Sequence, residues 1–564
     1  MGDYEVLRTG VLIIGGGGAG VRAALEADGQ GAEVCLLSKG PVARSGITPL
    51  AYPSLQAAFG TGDPRDNPDV HYRDTIAEGR DLVDQNLARV LADESIPRAL
   101  DLERFGIRFK KQDERFFQVQ HPGQTYPRNL FIVGGGFGLI HGLRKELQRR
   151  PGVRILEDFC VSHLLRDQGE LMGAFGLHMR DGRFYAIEAK SIVLACGGYE
   201  ELWGNTDTPP DSTGDGIFLA FQSGADIIDL EMTQYYPTVF AHPESIKGIL
   251  VQYETFLEGK YLDFRLMNRE GREFLPQGPL PGRDTLMRLI LSEVEEGRGS
   301  DHNAVYIDPS RSSKKREEID RLVRELLEGP DRNLKGFGID IRKDRLEVCP
   351  AVHHTLGGIR INERAETSVQ GLFAAGENAS SVHGANRISG NALSETQVFG
   401  TRAGKYAAQH SRGRGYGSLP AGEIREAMQK WNGFVQRKKE GIRPLVLRRE
   451  LKAVMDRYLG PNRDDEGMRK ALQKVLDLRG NGLPKVEVSG GKIFNLDWRT
   501  AIEVSMTLDL AELVIRSALL REETRGHHFR RDFPETSEMP QHTLVRKRDG
   551  GIEVTHSPVS VLGP

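Results

Sequence analysis

The chain is 564 residues long, with 38% hydrophobic and 27% charged residues, a composition typical of a water-soluble globular protein. At about 150 residues per domain, this length predicts roughly three or four folding units. A net charge of -3 and the absence of an apolar run long enough to span a bilayer argue against nucleic-acid binding and direct membrane insertion. We therefore expect a cytoplasmic protein that reaches a membrane only through partner subunits.

The first elements of the chain predict a βαβ unit. Val11 to Ile14 is a short apolar run of the kind found in buried strands, and glycines follow it directly. Val21 to Ala27 favours a helix, and Val34 to Leu37 gives the next parallel strand at the expected distance.

The turn after the first strand has the glycine spacing of a dinucleotide-binding site. Gly15, Gly17 and Gly20 satisfy G-x-G-x-x-G between a strand and a helix, where backbone amides can face a pyrophosphate. A bound NAD would require an acidic residue at the end of the second strand, but Ser38 and Lys39 stand there. The pattern therefore argues against NAD as the nucleotide.

Later segments predict an insertion into this first domain. Ser191 to Ala195 has the pattern of another buried strand, whereas polar helices follow at Thr285 to Glu296 and at Lys315 to Glu328. The run Gly-Leu-Phe-Ala-Ala-Gly at 371–376 then returns to the strand-and-glycine pattern. The first domain is therefore expected to be discontinuous.

The predicted fold is α/β. It has a Rossmann-like nucleotide-binding domain at 1–235 and 346–405, an inserted α+β capping domain at 236–345, a helical domain at 406–518 and a polar, irregular tail at 519–564. Apolar periodicity at Leu445 to Leu459 and at Met468 to Leu478 supports the helical domain. The basic stretch 437–449 is interpreted as a solvated helix face, and the alternative is a surface for a partner subunit.

Four cysteines are scattered along the chain, and none forms a Cys-x-x-Cys pair. They are Cys35, Cys160, Cys196 and Cys349. We expect reduced thiols, no metal site and no iron-sulfur cluster within the chain.

Several segments, in order along most of the chain, resemble the flavoprotein subunit family of succinate dehydrogenase and fumarate reductase. They are Leu-Leu-Ser-Lys at 36–39, Ser-Thr-Gly-Asp-Gly at 212–216, Gly-Leu-Phe-Ala-Ala-Gly-Glu at 371–377 and Ser-Val-His-Gly-Ala-Asn-Arg-Ile-Ser-Gly-Asn-Ala-Leu at 381–393. The resemblance implies a Rossmann-like FAD-binding domain. The implied cofactor-binding residues are Gly15, Gly17, Gly20, Ser38, Lys39, Ser45, Gly46, Asp215, Glu377, Asn391 and Leu393.

One departure from the family concerns the attachment of FAD. Relatives bind FAD covalently through a histidine after a Thr-Arg-Ser segment, but this chain reads Ala43, Arg44, Ser45, Gly46. Non-covalent FAD is therefore expected. Nearby, Ala-Tyr-Pro-Ser at 51–54 replaces the family's Ala-Gln-Gly-Gly, which predicts bulkier surroundings for the flavin.

The resemblance also implies substrate residues. His353 matches the family's carboxylate-binding histidine, Arg387 matches the arginine that clamps a carboxylate, and Arg283 matches the proton-donating arginine on the lid. An arginine suits this clamp because its planar fork matches a carboxylate.

Other substrate residues differ from the family. Tyr236 occupies the position of a second histidine, and the family's Thr-Glu pair falls at Gln252 and Tyr253. Phe256 replaces a relay arginine, although Glu254 lies one place away from the missing glutamate. One carboxylate clamp is therefore retained, and Tyr236 and Tyr253 are candidate acids.

The leading hypothesis is an FAD-dependent oxidoreductase subunit that acts on a C-C or C=C bond beside a carboxylate of a small substrate and exchanges electrons with an iron-sulfur protein subunit. Two alternatives stay open. One is an electron-relay flavoprotein with a decayed substrate site, and the other is an adenylylsulfate-reductase-like flavoprotein, because Arg-Ser-Gly at 44–46 is similar to that family. L-aspartate oxidase is disfavoured because it relies on the missing histidine and Thr-Glu pair.

Overall fold

The structure is a computed structural model that describes residues 4–259, 261–436 and 441–562. The helices are α1 Gly18–Gly29, α2 Pro68–Glu78, α3 Gln85–Arg104, α4 Gly135–Gln148, α5 Asp215–Gln222, α6 Tyr253–Leu257, α7 Arg283–Glu295, α8 Arg316–Leu326, α9 Glu328–Gly336, α10 Asn391–Ser411, α11 Ala421–Gln436, α12 Pro444–Tyr458, α13 Asp465–Asp477 and α14 Leu496–Leu520.

The strands are β1 Tyr4–Ile14, β2 Val34–Leu37, β3 Ser54–Gln56, β4 Lys111–Gln112, β5 Arg115–Phe116, β6 Gln118–Val119, β7 Asn129–Phe131, β8 Val153–Leu156, β9 Phe159–Asp167, β10 Glu170–His178, β11 Arg183–Leu194, β12 Ile227–Ile228, β13 Thr233–Phe240, β14 Arg265–Met267, β15 Val305–Asp308, β16 Leu346–Thr355, β17 Gly358–Ile359, β18 Leu372–Ala374, β19 Asn462–Arg463, β20 Phe529–Arg530, β21 Gln541–Arg548 and β22 Gly551–Pro558.

A seven-stranded sheet forms the centre of the nucleotide-binding domain. Its order is β8-β2-β1-β11-β10-β9, with β18 beside the end of β11. Strands β8, β2, β1, β11 and β18 run parallel, and the apolar runs of β1 and β2 are buried because helices cover such sheets on both faces. The predicted α/β, Rossmann-like fold is confirmed, and β18 brings the chain back to this sheet after the insertion.

The inserted segment has its own antiparallel sheet and its own apolar core. The sheet order is β13-β16-β15-β14, and α7 and α8 pack against it. Strand β13 begins before the expected boundary at 235/236, and β16 was assigned to the nucleotide-binding domain although it pairs with β13 and β15. These boundaries need correction, because an apolar strand pattern does not reveal which sheet the strand joins.

Two further expectations are wrong in detail. Helix α10 continues through the expected boundary at 405/406 and packs along α1, so it belongs with the nucleotide-binding domain. The tail is not irregular, since β21 and β22 form a hairpin whose first strand pairs with β12 and buries Leu544 and Val545. Strand pairing with a distant partner gives this polar segment its order.

Of the basic stretch at 437–449, residues 437–440 lie outside the described residues, and α12 begins in the remainder. Within the described ranges, no helix combines the length and apolar character needed to cross a membrane. The same ranges contain no group of three or more His, Cys, Asp or Glu residues placed to hold a metal ion. All four cysteines are free thiols.

Candidate active site

The turn from β1 into α1 is packed so closely that side chains are excluded at two glycines, one in the loop and one in the first turn of the helix. Gly15 has a φ of 119°, and a Cβ there would lie 2.0 Å from the carbonyl oxygen of Ala195 at the end of β11. A Cβ on Gly20 would lie 1.9 Å from the oxygen of Gly15. These two glycines therefore let helix, loop and strand approach one another.

Gly17 has a different environment. A Cβ at this position would meet only Thr48 Oγ1, at 3.7 Å, so the space beside it is open. Gly17 caps α1 without a side-chain hydrogen bond, and although the Gly18 amide donates to Thr48 Oγ1 at 3.1 Å, the start of the helix faces the cavity, where its dipole favours an anion. This arrangement fits the pyrophosphate of a dinucleotide.

A cavity runs from this loop towards the inserted domain and is lined by most of the residues singled out in the sequence. They are Gly15, Gly17, Ser38, Lys39, Ser45, Gly46, Asp215, Tyr236, Arg283, His353, Glu377, Arg387 and Leu393. The residues predicted for the cofactor and those predicted for the substrate thus share one continuous space. Glu254 and Gln252 line it as well.

Three of the singled-out residues do not line the cavity. Gly20 packs against the loop backbone, as described above. The Asn391 side chain turns towards α2, where its Oδ1 lies 2.8 Å from His71 Nε2 and its amide donates to Thr75 Oγ1. Tyr253 is buried behind Tyr236, with ring centroids 5.6 Å apart. The roles predicted for Asn391 beside the flavin and for Tyr253 as an acid stay predictions, and the contacts seen for both side chains are with neighbouring residues.

Lys39 is held by carboxylates at the end of the cavity near β2. Its ammonium lies 2.8 Å from Asp215 and 3.1 Å from Glu503. Burial opposes the charge, but these two carboxylates outweigh it and raise the pKa of Lys39 above its ordinary value. Lys39 and Asp215 therefore act first as an ion pair that shapes this end of the cavity.

Arg283 lies at the first turn of α7 and faces the other end of the cavity. Its guanidinium stands 4.9 Å from the ring centroid of Tyr236, and its Nη2 lies 3.7 Å from Glu254 Oε1. Tyr236 donates its hydroxyl hydrogen to Glu254 Oε2 at 2.8 Å. Arg283, Tyr236 and Glu254 therefore form one contact group.

The neighbouring residue Asp284 fixes the start of this helix. Two nitrogens of Arg80, in the loop after α2, donate to its two carboxylate oxygens at 2.9 Å each. This fork joins the cap helix α7 to the nucleotide-binding domain.

His353 is oriented by a carboxylate that the sequence did not indicate. Its Nδ1 lies 2.8 Å from Asp207 Oδ2, and its ring centroid lies 5.2 Å from that of Tyr236. When Nδ1 carries the hydrogen, Asp207 accepts it and Nε2 is left for a ligand in the cavity. Asp207 lies 146 residues from His353, so no local pattern could have linked them.

Comparisons with known protein families agree with this geometry. The FAD binding domain family matches residues 10–393, and the fumarate reductase flavoprotein C-terminal family matches residues 448–562. The chain belongs to the flavoprotein family of succinate dehydrogenase and fumarate reductase. It is therefore an FAD-dependent oxidoreductase, and the predicted cofactor and family are confirmed.

Similar proteins cover nearly the whole flavoprotein. One of them belongs to the CoM/CoB fumarate reductase of Methanothermobacter marburgensis and is 38% identical over 545 residues, which are 95% of this chain and 96% of the relative. FrdA of Escherichia coli quinol fumarate reductase superposes with a TM-score of 0.90 at 27% identity, covering 99% of this chain and 98% of that chain. Adenylylsulfate reductase of Archaeoglobus fulgidus has a TM-score of 0.83 at 19% identity, covering 99% and 97%, which shows a shared fold alone.

Arg387 is the least compensated charge in the flavoprotein's cavity. Burial, with the nearby charge of Arg283, lowers the pKa of Arg387 to about 9. Its Nη1 donates to the Ile388 oxygen at 3.3 Å, whereas its Nε is buried without a hydrogen-bond partner. Among the described residues, no Asp or Glu forms an ion pair with it. The site therefore favours an anion at Arg387.

The two tyrosines that the sequence offered as acids have hydroxyl groups with raised pKa values. Burial, followed by the charge of Glu254, raises the pKa of Tyr236 and of Tyr253 well above the ordinary value. Glu254, which the sequence placed one position away from the missing glutamate, is the carboxylate that reaches Arg283. Of these groups, Glu254 is therefore the one that forms an ion pair with Arg283.

Proposed function

We propose that this flavoprotein reduces or forms a carbon-carbon double bond beside a carboxylate of a small substrate, and exchanges the electrons with an iron-sulfur partner subunit. The observation that carries the proposal is the buried pair of guanidinium groups, Arg283 and Arg387, which face one cavity, where among the described residues only Arg283 forms an ion pair with a carboxylate.

A substrate carboxylate would complete the charge balance at Arg387. A buried cation without a counter-ion is costly, and an arginine fork offers two parallel hydrogen bonds to a carboxylate. His353, held by Asp207 through Nδ1, lines the same cavity, and when both ring nitrogens carry a hydrogen it can donate a further hydrogen bond from Nε2. These groups would hold the carboxylate and stabilise charge that develops at the adjacent carbon.

Proton delivery is assigned to Arg283 with Glu254 behind it. Bound FAD supplies hydride transfer and electron storage. A guanidinium with an ordinary pKa above about 12 gives up a proton only if the proton is promptly replaced. Glu254 is 3.7 Å from Arg283 Nη2 and can return that proton, while the hydrogen bond from Tyr236 keeps the carboxylate in place.

The far end of the substrate meets neutral groups. Tyr236 and Gln252 line the cavity there, so a polar uncharged arm fits as well as a second carboxylate. The names of relatives favour fumarate as the first substrate to test. The neutral lining favours half-amides and half-esters of the same acid.

The electron partner is proposed from two facts. Relatives carry names of flavoprotein subunits, which belong to larger complexes. The four cysteines of this chain are free and distant in sequence, so an iron-sulfur relay would have to come from another subunit.

The decisive experiment is stopped-flow reoxidation of the photoreduced flavoprotein by fumarate, its half-amide and its half-ester. We expect rapid reoxidation by at least one of them, and a loss of about a hundredfold in Arg387→Lys, which keeps the charge but not the fork. Arg316→Lys, at an exposed position of α8, is the matched control. If no enoate reoxidises a flavin that dyes still reduce, the proposal fails and the electron-relay alternative is supported.

A further inference from the structure

Two carboxyl groups lie in contact in the wall of the flavin cavity. Glu377 follows β18 and lines the cavity, whereas Glu200 follows β11 and is fully buried behind it. The same backbone amide, that of Thr355, donates to both groups and holds them side by side. Gly198 permits this approach, because a Cβ at that position would lie 2.5 Å from Glu200 Oε1.

Few donors stabilise negative charge on this pair. The Thr355 amide donates to Glu377 Oε1 at 2.8 Å and to Glu200 Oε1 at 3.2 Å, and His354 Nδ1 lies 2.8 Å from Glu377. No Lys or Arg in the described ranges forms an ion pair with either carboxyl. Two ionised carboxylates in such a place would repel each other, so the pair holds one shared proton in the resting protein.

The shared proton resides on Glu200. Burial and the charge of Glu377 raise the pKa of Glu200 well above its ordinary value. Burial also acts against ionisation of Glu377, but His354 and the hydrogen bond from Glu200 lower the pKa of Glu377. Glu377, the member that faces the cavity, is therefore the ionised one.

Four other titratable groups face the pair from neighbouring elements. They are His354 on β16, Tyr199 beside Glu200, Arg387 in the loop before α10, and Glu395 on α10. Burial, with the nearby charge of Glu377, raises the pKa of Glu395 to about 8. Arg387 is the only one of the four that is cationic at neutral pH, so negative charge added beside the pair has little to balance it.

We propose that Glu377, paired with Glu200, takes up one proton when the flavin in this cavity is reduced and releases it when the flavin is reoxidised. An external electron donor supplies two electrons. One proton goes to the flavin, and a second proton passes from solvent to Glu377, so that the pair holds two protons instead of one. Two electrons are thus matched by two protons, and both protons are returned on reoxidation.

The physical reason is electrostatic. Negative charge that arrives in a buried cavity raises the pKa of a carboxylate in its wall, because the surrounding medium screens charge poorly. Glu377 is ionised in the resting protein and lines the cavity, so it is the group on which this rise acts. The inference needs bound FAD only, and it does not depend on the substrate proposed above.

The test is a spectroelectrochemical titration of the bound flavin with mediator dyes, without any enoate, at several pH values around neutrality. For a two-electron couple, each proton taken up shifts the midpoint potential by about 30 mV per pH unit. We expect a slope of about 59 mV per pH unit for the holoprotein and about 30 mV per pH unit for Glu377→Gln. A slope of about 30 mV in the unaltered protein, or equal slopes in both proteins, would overturn the inference.

Glu395→Gln is the matched control, because it removes another buried carboxyl that lines the cavity close to Glu377. Its slope should equal that of the unaltered protein. A reduced slope in Glu395→Gln with an unchanged slope in Glu377→Gln would assign the proton to Glu395 and contradict the proposal.

A second measurement covers the case in which Glu377→Gln fails to retain flavin. Reduced-minus-oxidised infrared spectra of the holoprotein should show a new carboxylic-acid band. In Glu200→Gln this band should move, because the hydrogen-bond partner of Glu377 has changed. A spectrum that is identical in the two proteins would show that the pair is not the proton acceptor.

Discussion

The two ends of the flavin cavity differ in what lines them, since one end is mainly backbone and the other is mainly side chains. The nucleotide end is made of backbone, with Gly15 and Gly20 allowing strand, loop and helix to meet. The end proposed to bind the substrate is lined by polar side chains, Arg283, His353 and Arg387, that come from separate segments. The nucleotide end depends on steric fit, so a substitution there should abolish FAD binding completely. A substitution at the other end should lower the catalytic rate by an amount that reflects the interaction it removes.

The largest effect is expected at the nucleotide end. In Gly20→Val the new side chain begins 1.9 Å from the oxygen of Gly15, so the loop cannot keep its shape. We expect purified protein without yellow colour, measured as flavin absorbance per chain. Gly29→Ala, near the end of the same helix and with no atom within 4 Å of its Cβ, should retain FAD. Stoichiometric FAD in Gly20→Val would show that the loop is not the site.

The next effect tests the proton path at the substrate end. Arg283→Lys removes the planar guanidinium over Tyr236 and should lower kcat by about a hundredfold or more while KM changes less. Arg288→Lys, on the same helix, is the control, and steady-state kinetics with the best enoate is the measurement. A raised KM with unchanged kcat would instead make Arg283 a binding residue.

A pH effect tests the junction between the two ends. Burial, followed by the charge of Arg128, lowers the pKa of His71 to about 3, whereas an unfolded chain has a histidine pKa of about 6.5. The unfolded state therefore binds the extra proton first, so stability is present above about pH 6.5 and is lost as pH falls towards 3.

His71→Gln keeps a donor for Asn391 but removes this titration. The fall of Tm below about pH 6.5 should become shallower in this variant. His556→Gln, at an exposed position of β22, should follow the unaltered protein. An unchanged pH profile in His71→Gln would show that His71 does not contribute to acid sensitivity.

The smallest effect is expected for Tyr236→Phe. The change removes one hydrogen bond to Glu254, worth about 1 kcal/mol, so kcat/KM should fall by only about fivefold. Tyr306→Phe on β15 serves as the control. A loss of a hundredfold would mean that the Tyr236 hydroxyl itself delivers the proton.

The same contrast explains what the sequence could predict. The strand, glycine turn and helix at the start of the chain are local patterns, so the nucleotide-binding fold followed from them directly, whereas FAD was implied by the resemblance to the flavoprotein family. Arg283 and Arg387 were found through motifs, because each stands in a recognisable short segment. Domain boundaries were less accurate, since β16 and α10 are placed by pairing and packing with distant elements.

Three residues of the site had no usable local signal. Asp207 and Glu200 act through partners more than 140 residues away, and His354 was hidden beside its better-matched neighbour His353. The sequence did mark Glu254 as a neighbour of a missing glutamate, but only the fold shows that it approaches Arg283. Contacts of this kind depend on how β13, β16 and α7 meet in space.

The pair of hydrogen bonds between Arg80 and Asp284 has a consequence for the order of steps in turnover. It joins the first turn of α7 to the nucleotide-binding domain, directly beside Arg283. If the cap withdraws to exchange product for substrate, this ion pair must part, and Arg283, which we propose as the acid, leaves the cavity in the same movement. The open conformation would thus be inactive, and substrate protonation would begin only after the cap had closed.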